Sequence, residues 1–193
     1  MAETLHDDAP PATSKHPAAA AAAIASGVPE GKGSSAVGRS VTIDRPAAEL
    51  YAFFRDFSNL PSFMENVVSI DVLDDTRSHW VVKAPAGRTV EWDARVTEEQ
   101  PGKFIAWTAE DGADVPNSGR IEFREAGARG TVVHATILYD PPMGIVGKVV
   151  AKMFQREPNM QARQDLKRFK QLMETGEVTT NARNQRQYAE EKN

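Results

Sequence analysis

Residues 88–97 read RTVEWDARVT. Val90, Trp92, Ala94 and Val96 alternate with Glu91, Asp93 and Arg95. Successive side chains of a strand point to opposite faces, so this period of two predicts an antiparallel strand with one apolar and one wet face. A sheet built from such strands has to bury its apolar face under another layer.

Working outward, the same signal recurs on both sides. Upstream, residues 37–43 alternate around Val37, Arg39, Val41 and Ile43, and residues 67–73 and 78–83 read as further strands. Downstream, residues 103–109, 118–124 and 131–139 do the same, the last with Val133, Ala135, Ile137 and Tyr139 on its purer apolar face. Turns are predicted at Asp74-Asp75, Pro85-Ala86-Gly87, Gln100-Pro101-Gly102 and residues 126–130, where glycine, proline and aspartate favour chain reversal. Two helical patterns interrupt the strands. Residues 47–57 place Leu50, Phe53, Phe54 and Phe57 at helical spacing after Asp44-Arg45-Pro46, with Asp44 as the expected N-cap. A short second helix is expected over residues 62–65. At the far end, residues 145–155 and 159–174 are helical, divided at Pro158, where a kink or break is expected. Ala162, Leu166, Phe169 and Met173 form the apolar stripe of the second part, and Gly176 is placed to end it.

The order is strand, one or two short helices, about six more strands, long C-terminal helix. This predicts an α+β fold, a curved antiparallel sheet of about seven strands wrapped around the C-terminal helix, with two short helices after the first strand. A sheet gripping a helix leaves room for a cavity between them, where a small molecule can bind. Residues 1–36 are rich in alanine, proline, glycine and serine and carry no Phe, Trp or Tyr. They cannot bury enough apolar surface to offset ordering, so they are read as a flexible arm. The domain is read as residues 37–177, and residues 178–193 as a polar tail.

The chain of 193 residues contains no cysteine, which excludes disulfides, thiolate nucleophiles and cysteine-ligated metal. Net charge is −4, so the globally basic footprint of a nucleic-acid binder is missing, and no nucleic-acid partner is expected. The longest apolar run, at residues 18–25, is too short to span a bilayer, and acidic residues precede it where a secretory signal would be basic. A cytoplasmic protein is expected. Of the four histidines, His6 and His16 lie in the arm, while His79 and His134 alternate with inward residues and are expected to face solvent. Glu91 and Asp93 share a face, but it is the wet one. No catalytic set, metal site or cofactor motif emerges, and none is expected.

Trp80, Trp92 and Trp107 are placed toward one interior, as plain core or as the wall of a cavity. Phe53, Phe54, Phe57 and Phe63 either pack on the sheet or gate one end of such a cavity. Residues 144–175 carry seven Lys or Arg against three Asp or Glu. Lys148, Lys152 and Arg156, then Arg163, Lys167 and Lys170, make a solvated helix face or a contact with anionic headgroups.

Several stretches together resemble a known superfamily: IDRPAAELYAFFRDFSNLPSFM (43–64), GRTVEWDARV (87–96), IAW (105–107), GADVPNSGRIEF (112–123), YDPPMG (139–144) and DLKRFKQLMETGE (165–177). They are similar to the START / polyketide cyclase / Bet v 1-like (SRPBCC) superfamily, in its bacterial cyclase/dehydrase branch near the coenzyme Q-binding START proteins. The resemblance implies a helix-grip domain. Its members include lipid carriers, cyclases and modules without a known ligand. The expected function is binding or transport of a small hydrophobic molecule (a lipid, isoprenoid quinone or polyketide-like compound). The expected ligand-binding residues are Trp80, Trp92, Trp107, Phe123, Tyr139, Met153 and Phe169. The alternatives are a cyclase/dehydratase that folds a polyketide-like chain, or a protein-binding stress module with a vestigial cavity.

Overall fold

The computed structural model of the chain describes residues 35–84, 87–140 and 158–178. Seven strands are present: β1 (Ser35–Ile43), β2 (Val67–Val72), β3 (Arg77–Ala84), β4 (Arg88–Gln100), β5 (Phe104–Ala109), β6 (Asn117–Glu125) and β7 (Thr131–Tyr139). Helix α1 (Ala47–Arg55) and a 3-10 turn (Phe57–Ser62) follow β1, and α2 (Pro158–Thr175) follows the sheet. The strands form one curved antiparallel sheet in the order β1-β7-β6-β5-β4-β3-β2. The expected α+β architecture is thus observed.

Strands β2 to β7 follow one another as a meander, each paired with the next in sequence. β1 departs from this by pairing with β7, from Ser35↔Tyr139 to Ile43↔Thr131. β1 and β2 therefore occupy opposite edges, and α1 with the 3-10 turn carries the chain between them. Tyr51 and Phe54 of α1 pack edge-on against Phe123 of β6 at ring centroid distances of 5.9 and 6.3 Å.

The local chemistry differs from expectation at the start of α1. Asp44 does not cap it. The N-cap is Pro46, without a side-chain hydrogen bond. Asp44 is engaged instead through its backbone N–H, which donates to Glu174 Oε1 of α2 at 2.7 Å. The second short helix also falls earlier than residues 62–65. Asp56 accepts from the Ser58 N–H and so starts the 3-10 turn, and Pro61 sits inside this single short turn.

Helix α2 begins at Pro158, a position that suits the first helical turn because no N–H is needed there. The expected helix over residues 145–155, the kink before Pro158 and Met153 lie outside the described residues. Leu166 and Phe169 are buried, whereas Arg163 and Lys167 on the opposite side are exposed. Lys170 Nζ donates to the Thr42 carbonyl at 2.6 Å and Arg45 Nη2 to the Glu174 carbonyl at 3.1 Å, tying α2 to the β1 end of the sheet. Gly176, with φ of 77°, ends the helix, and its N–H donates to the Leu172 carbonyl.

The core joins α1, the 3-10 turn, α2 and the inner face of the sheet. Phe169 is its hub, fully buried, stacked on Phe63 at 4.9 Å and edge-on to Phe54 at 5.9 Å.

Candidate functional site

The core fills only part of the space between sheet and helix. Beyond the phenylalanine cluster, a cavity of about 250 Å³ lies against the inner face of β3 to β7. Trp80, Val82, Trp92, Ala94, Val96 and Trp107 supply wall from β3, β4 and β5, and Ile121, Ala135, Ile137 and Tyr139 from β6 and β7. Phe54, Phe57 and Phe63 close the end toward α1, and Ala162 and Leu166 of α2 form the opposite wall.

The three tryptophans are held in different ways. Trp80 and Trp92 are direct cross-strand partners, stacked with centroids 6.1 Å apart and planes within 9°. Trp80 Nε1 donates to Ser78 Oγ at 2.9 Å, which satisfies the polar edge of the indole where water is scarce. Trp107 faces Gly119 across β5 and β6, and a side chain at Gly119 would overlap the indole and crowd the Thr136 carbonyl. Glycine there lets the ring lie close on the sheet. All three tryptophans keep intermediate exposure, while Phe169 and Ile105 at the packed end have none.

Of the residues expected to bind a ligand, Trp80, Trp92, Trp107 and Tyr139 lie on this wall. Phe123 and Phe169 do not. Both point inward, but at the end of the sheet that α1 covers, and both are consumed by packing.

The wall carries a few polar side chains, among them Asn66, Ser78, Asn117, Gln161 and Asp165. Asn117 Nδ2 donates to the Val115 carbonyl at 2.9 Å. Asp165 was not anticipated. It projects from α2 at the third position after Ala162, on the same stripe as Leu166 and Phe169, and accepts a hydrogen bond from Gln161 Nε2 at 3.0 Å. Burial pushes its carboxyl up to about 7, while Gln161, the Arg168 guanidinium and the Glu65 backbone pull the other way. The helical period places residue 165 beside 162, 166 and 169, so the signal was in the stripe itself.

A second polar cluster lies at the α1 end. A register shift between Val96 and Glu98 inserts an extra residue in β4. The alternation changes phase there, and Glu99 turns toward α1, where it accepts from Tyr51 Oη at 2.8 Å and Arg55 Nε at 2.6 Å. The Arg55 hydrogen bond holds the Glu99 carboxyl below its usual range, whereas burial, with Glu99 adding to it, pushes the Tyr51 hydroxyl up to about 12.

Both described histidines lie on the outer face of the sheet. His79 Nδ1 is 2.7 Å from Asp93 Oδ1. His134 does not simply face solvent as expected. It lies between Ser40 Oγ at 2.7 Å and Thr136 Oγ1 at 3.2 Å, and burial lowers its pKa. Part of the basic character expected of the C-terminal helix is spent internally, since Arg168 pairs with Glu65 at 2.7 Å and Lys170 with Glu174 at 3.7 Å. Among the described residues, no group of three or more acidic or histidine side chains is placed to hold a metal ion, and no helix is long and apolar enough to cross a membrane.

A curved sheet, a covering C-terminal helix and a largely apolar cavity between them define the helix-grip class of ligand-cavity domains. The chain belongs to the family described as polyketide cyclase / dehydrase and lipid transport, whose model matches residues 43–167. It is 30% identical over 141 residues to an uncharacterized 17.2 kDa protein in the melC2-rnhH intergenic region of Streptomyces lincolnensis, covering 72% of this chain and 90% of that one. The crystal structure of DR_A0006 from Deinococcus radiodurans is 43% identical, with a TM-score of 0.60, covering 74% of this chain and 99% of that one. The Zhui aromatase/cyclase from Streptomyces sp. R1128 shares the fold at 16% identity, with a TM-score of 0.60 and coverage of 75% and 98%.

Proposed function

We propose that this protein binds and carries a small, mainly apolar molecule in the cavity between the sheet and α2. The observation that supports this reading is the cavity itself. A space of about 250 Å³ is walled by contiguous aromatic and aliphatic side chains, and Trp80, Trp92 and Trp107 present surface to it instead of being fully packed. Such a wall gains free energy by covering itself with apolar surface, at roughly 25 cal/mol per Å² removed from water. The few polar groups match the usual composition of small-molecule sites, where a small number of them orient an otherwise apolar ligand. Lipids, isoprenoids and polyketide-like aromatics are the compound classes in view.

A second reading, cyclase or dehydratase action on a polyketide-like chain, draws on Asp165. A carboxyl that titrates near neutrality on a cavity wall can move a proton. It is the weaker reading, because such a reaction calls for an acid and a base in mutual reach, and Gln161 beside Asp165 cannot titrate.

Calorimetric titration of the full chain with naphthalene tests the binding reading. Saturable binding at one site per chain is expected, weakened at least several-fold in Trp92→Ala. Binding that never saturates, or that Trp92→Ala leaves untouched, contradicts the site.

A further inference from the structure

The sheet side of the cavity is mainly apolar, its Ser78 and Asn117 being engaged with Trp80 Nε1 and the Val115 carbonyl, and the helix side carries a polar pair. Asp165 and Gln161 stand one turn apart on α2, both on the wall, and Asn66 joins them from the segment before β2. Facing this pair are the indoles and aliphatic side chains of β3 and β4; the one charged residue of the described sheet along the wall, Arg95, alternates with the buried Ala94 and Val96 and is exposed.

We infer that Asp165 is the anchor that selects the ligand's polar end, so that the cavity takes a neutral lipophile bearing a hydroxyl group and turns away one bearing a carboxylate. This inference rests on the proposed binding function and narrows it. A hydroxyl donates to the Asp165 carboxylate, while Gln161 holds the Oδ1 side in place. A carboxylate brought to the same place would set two anions together where water is largely excluded, at a cost that a single hydrogen bond does not offset.

The charged groups around Asp165 do not reverse this. On α2, Arg168 is engaged with Glu65 at 2.7 Å. On the facing segment, Glu65 adds negative charge, and Lys83 of β3 donates to the Glu65 carbonyl at 3.0 Å. Because Asp165 gives up its proton near neutrality, the selection is strongest in mildly alkaline solution and fades in mild acid.

Naphthalene, 1-naphthol and 1-naphthoate share one apolar body and differ at one position, so calorimetric titration with the three isolates the polar end. In wild type at about pH 8, 1-naphthol is expected to bind roughly tenfold more tightly than 1-naphthoate. That ratio should fall at least several-fold at about pH 5, where naphthoate remains an anion, and likewise in Asp165→Asn at pH 8, with folding of the variant checked by its thermal transition. If the variant does not fold, the two pH values on wild type decide. Naphthalene bound, but a naphthol-to-naphthoate ratio near one or insensitive to pH, overturns the anchor and leaves the binding function standing. Failure of all three compounds to bind overturns both.

Discussion

At Gly119 the missing side chain is what seats an aromatic wall. A methyl group there would overlap the Trp107 indole, whose position is fixed by the β5–β6 register. Gly119→Ala is therefore expected to destabilise the fold by about 1–3 kcal/mol, the usual cost of overpacking, and to change the tryptophan emission of the folded state. An unchanged denaturation midpoint would show that the ring has room to move. Asp165 makes a second prediction at this scale. Its folded pKa of about 7 lies above the ordinary carboxylate value, so the folded chain holds the proton more tightly than the unfolded one. Its contribution is therefore most favourable below about pH 4, declines as pH rises toward 7, and is level beyond. Asp165→Asn, which cannot ionise, should match wild type near pH 4 and exceed it in stability by about 1–3 kcal/mol near pH 8. Urea midpoints at the two pH values check this, and an equal difference at both would contradict it.

Among the elements, α2 divides its inner stripe between two tasks. Leu166 and Ala162 face the cavity, while Phe169 is packed with Phe53, Phe54 and Phe63. Phe169→Ala should cost about 3–5 kcal/mol in a denaturant titration, the range for an aromatic removed from a full core. A small loss would place it on the cavity wall instead. Much of this arrangement was legible in the sequence. The period of two along residues 90–96 and 133–139 identified inward faces, and the helical stripe identified the covering side of α2. Periodicity tells inside from outside, but it does not separate a filled core from a cavity wall. Phe123 and Trp107 carry the same inward signature, and only the place where α1 crosses the sheet distinguishes them. The phase change in β4 was not legible either. Residues 98–100 offer no apolar side chain to mark the new inner face, and Glu99 is revealed only by its partners Tyr51 and Arg55. Asp165 was readable from its spacing, but a carboxyl on an apolar stripe carries no weight until the cavity is seen.

For the whole molecule, the packed and hollow halves have separate consequences. The phenylalanine-rich end supplies stability, and the tryptophan-lined end leaves apolar surface that a ligand can cover. Val68, Val72 and Leu73 at the β2 edge are exposed, a short apolar patch that a protein-binding module would use. The full chain is expected to hold a lipophile inside the fold. Native mass spectrometry of the purified protein, after incubation with a lipid extract and removal of the excess, tests it most directly. A complex heavier than the chain by one small molecule is expected, released when the protein is denatured and depleted in Trp92→Ala. A native mass equal to that of the chain alone after this loading, or an added mass that Trp92→Ala retains in full, would contradict it.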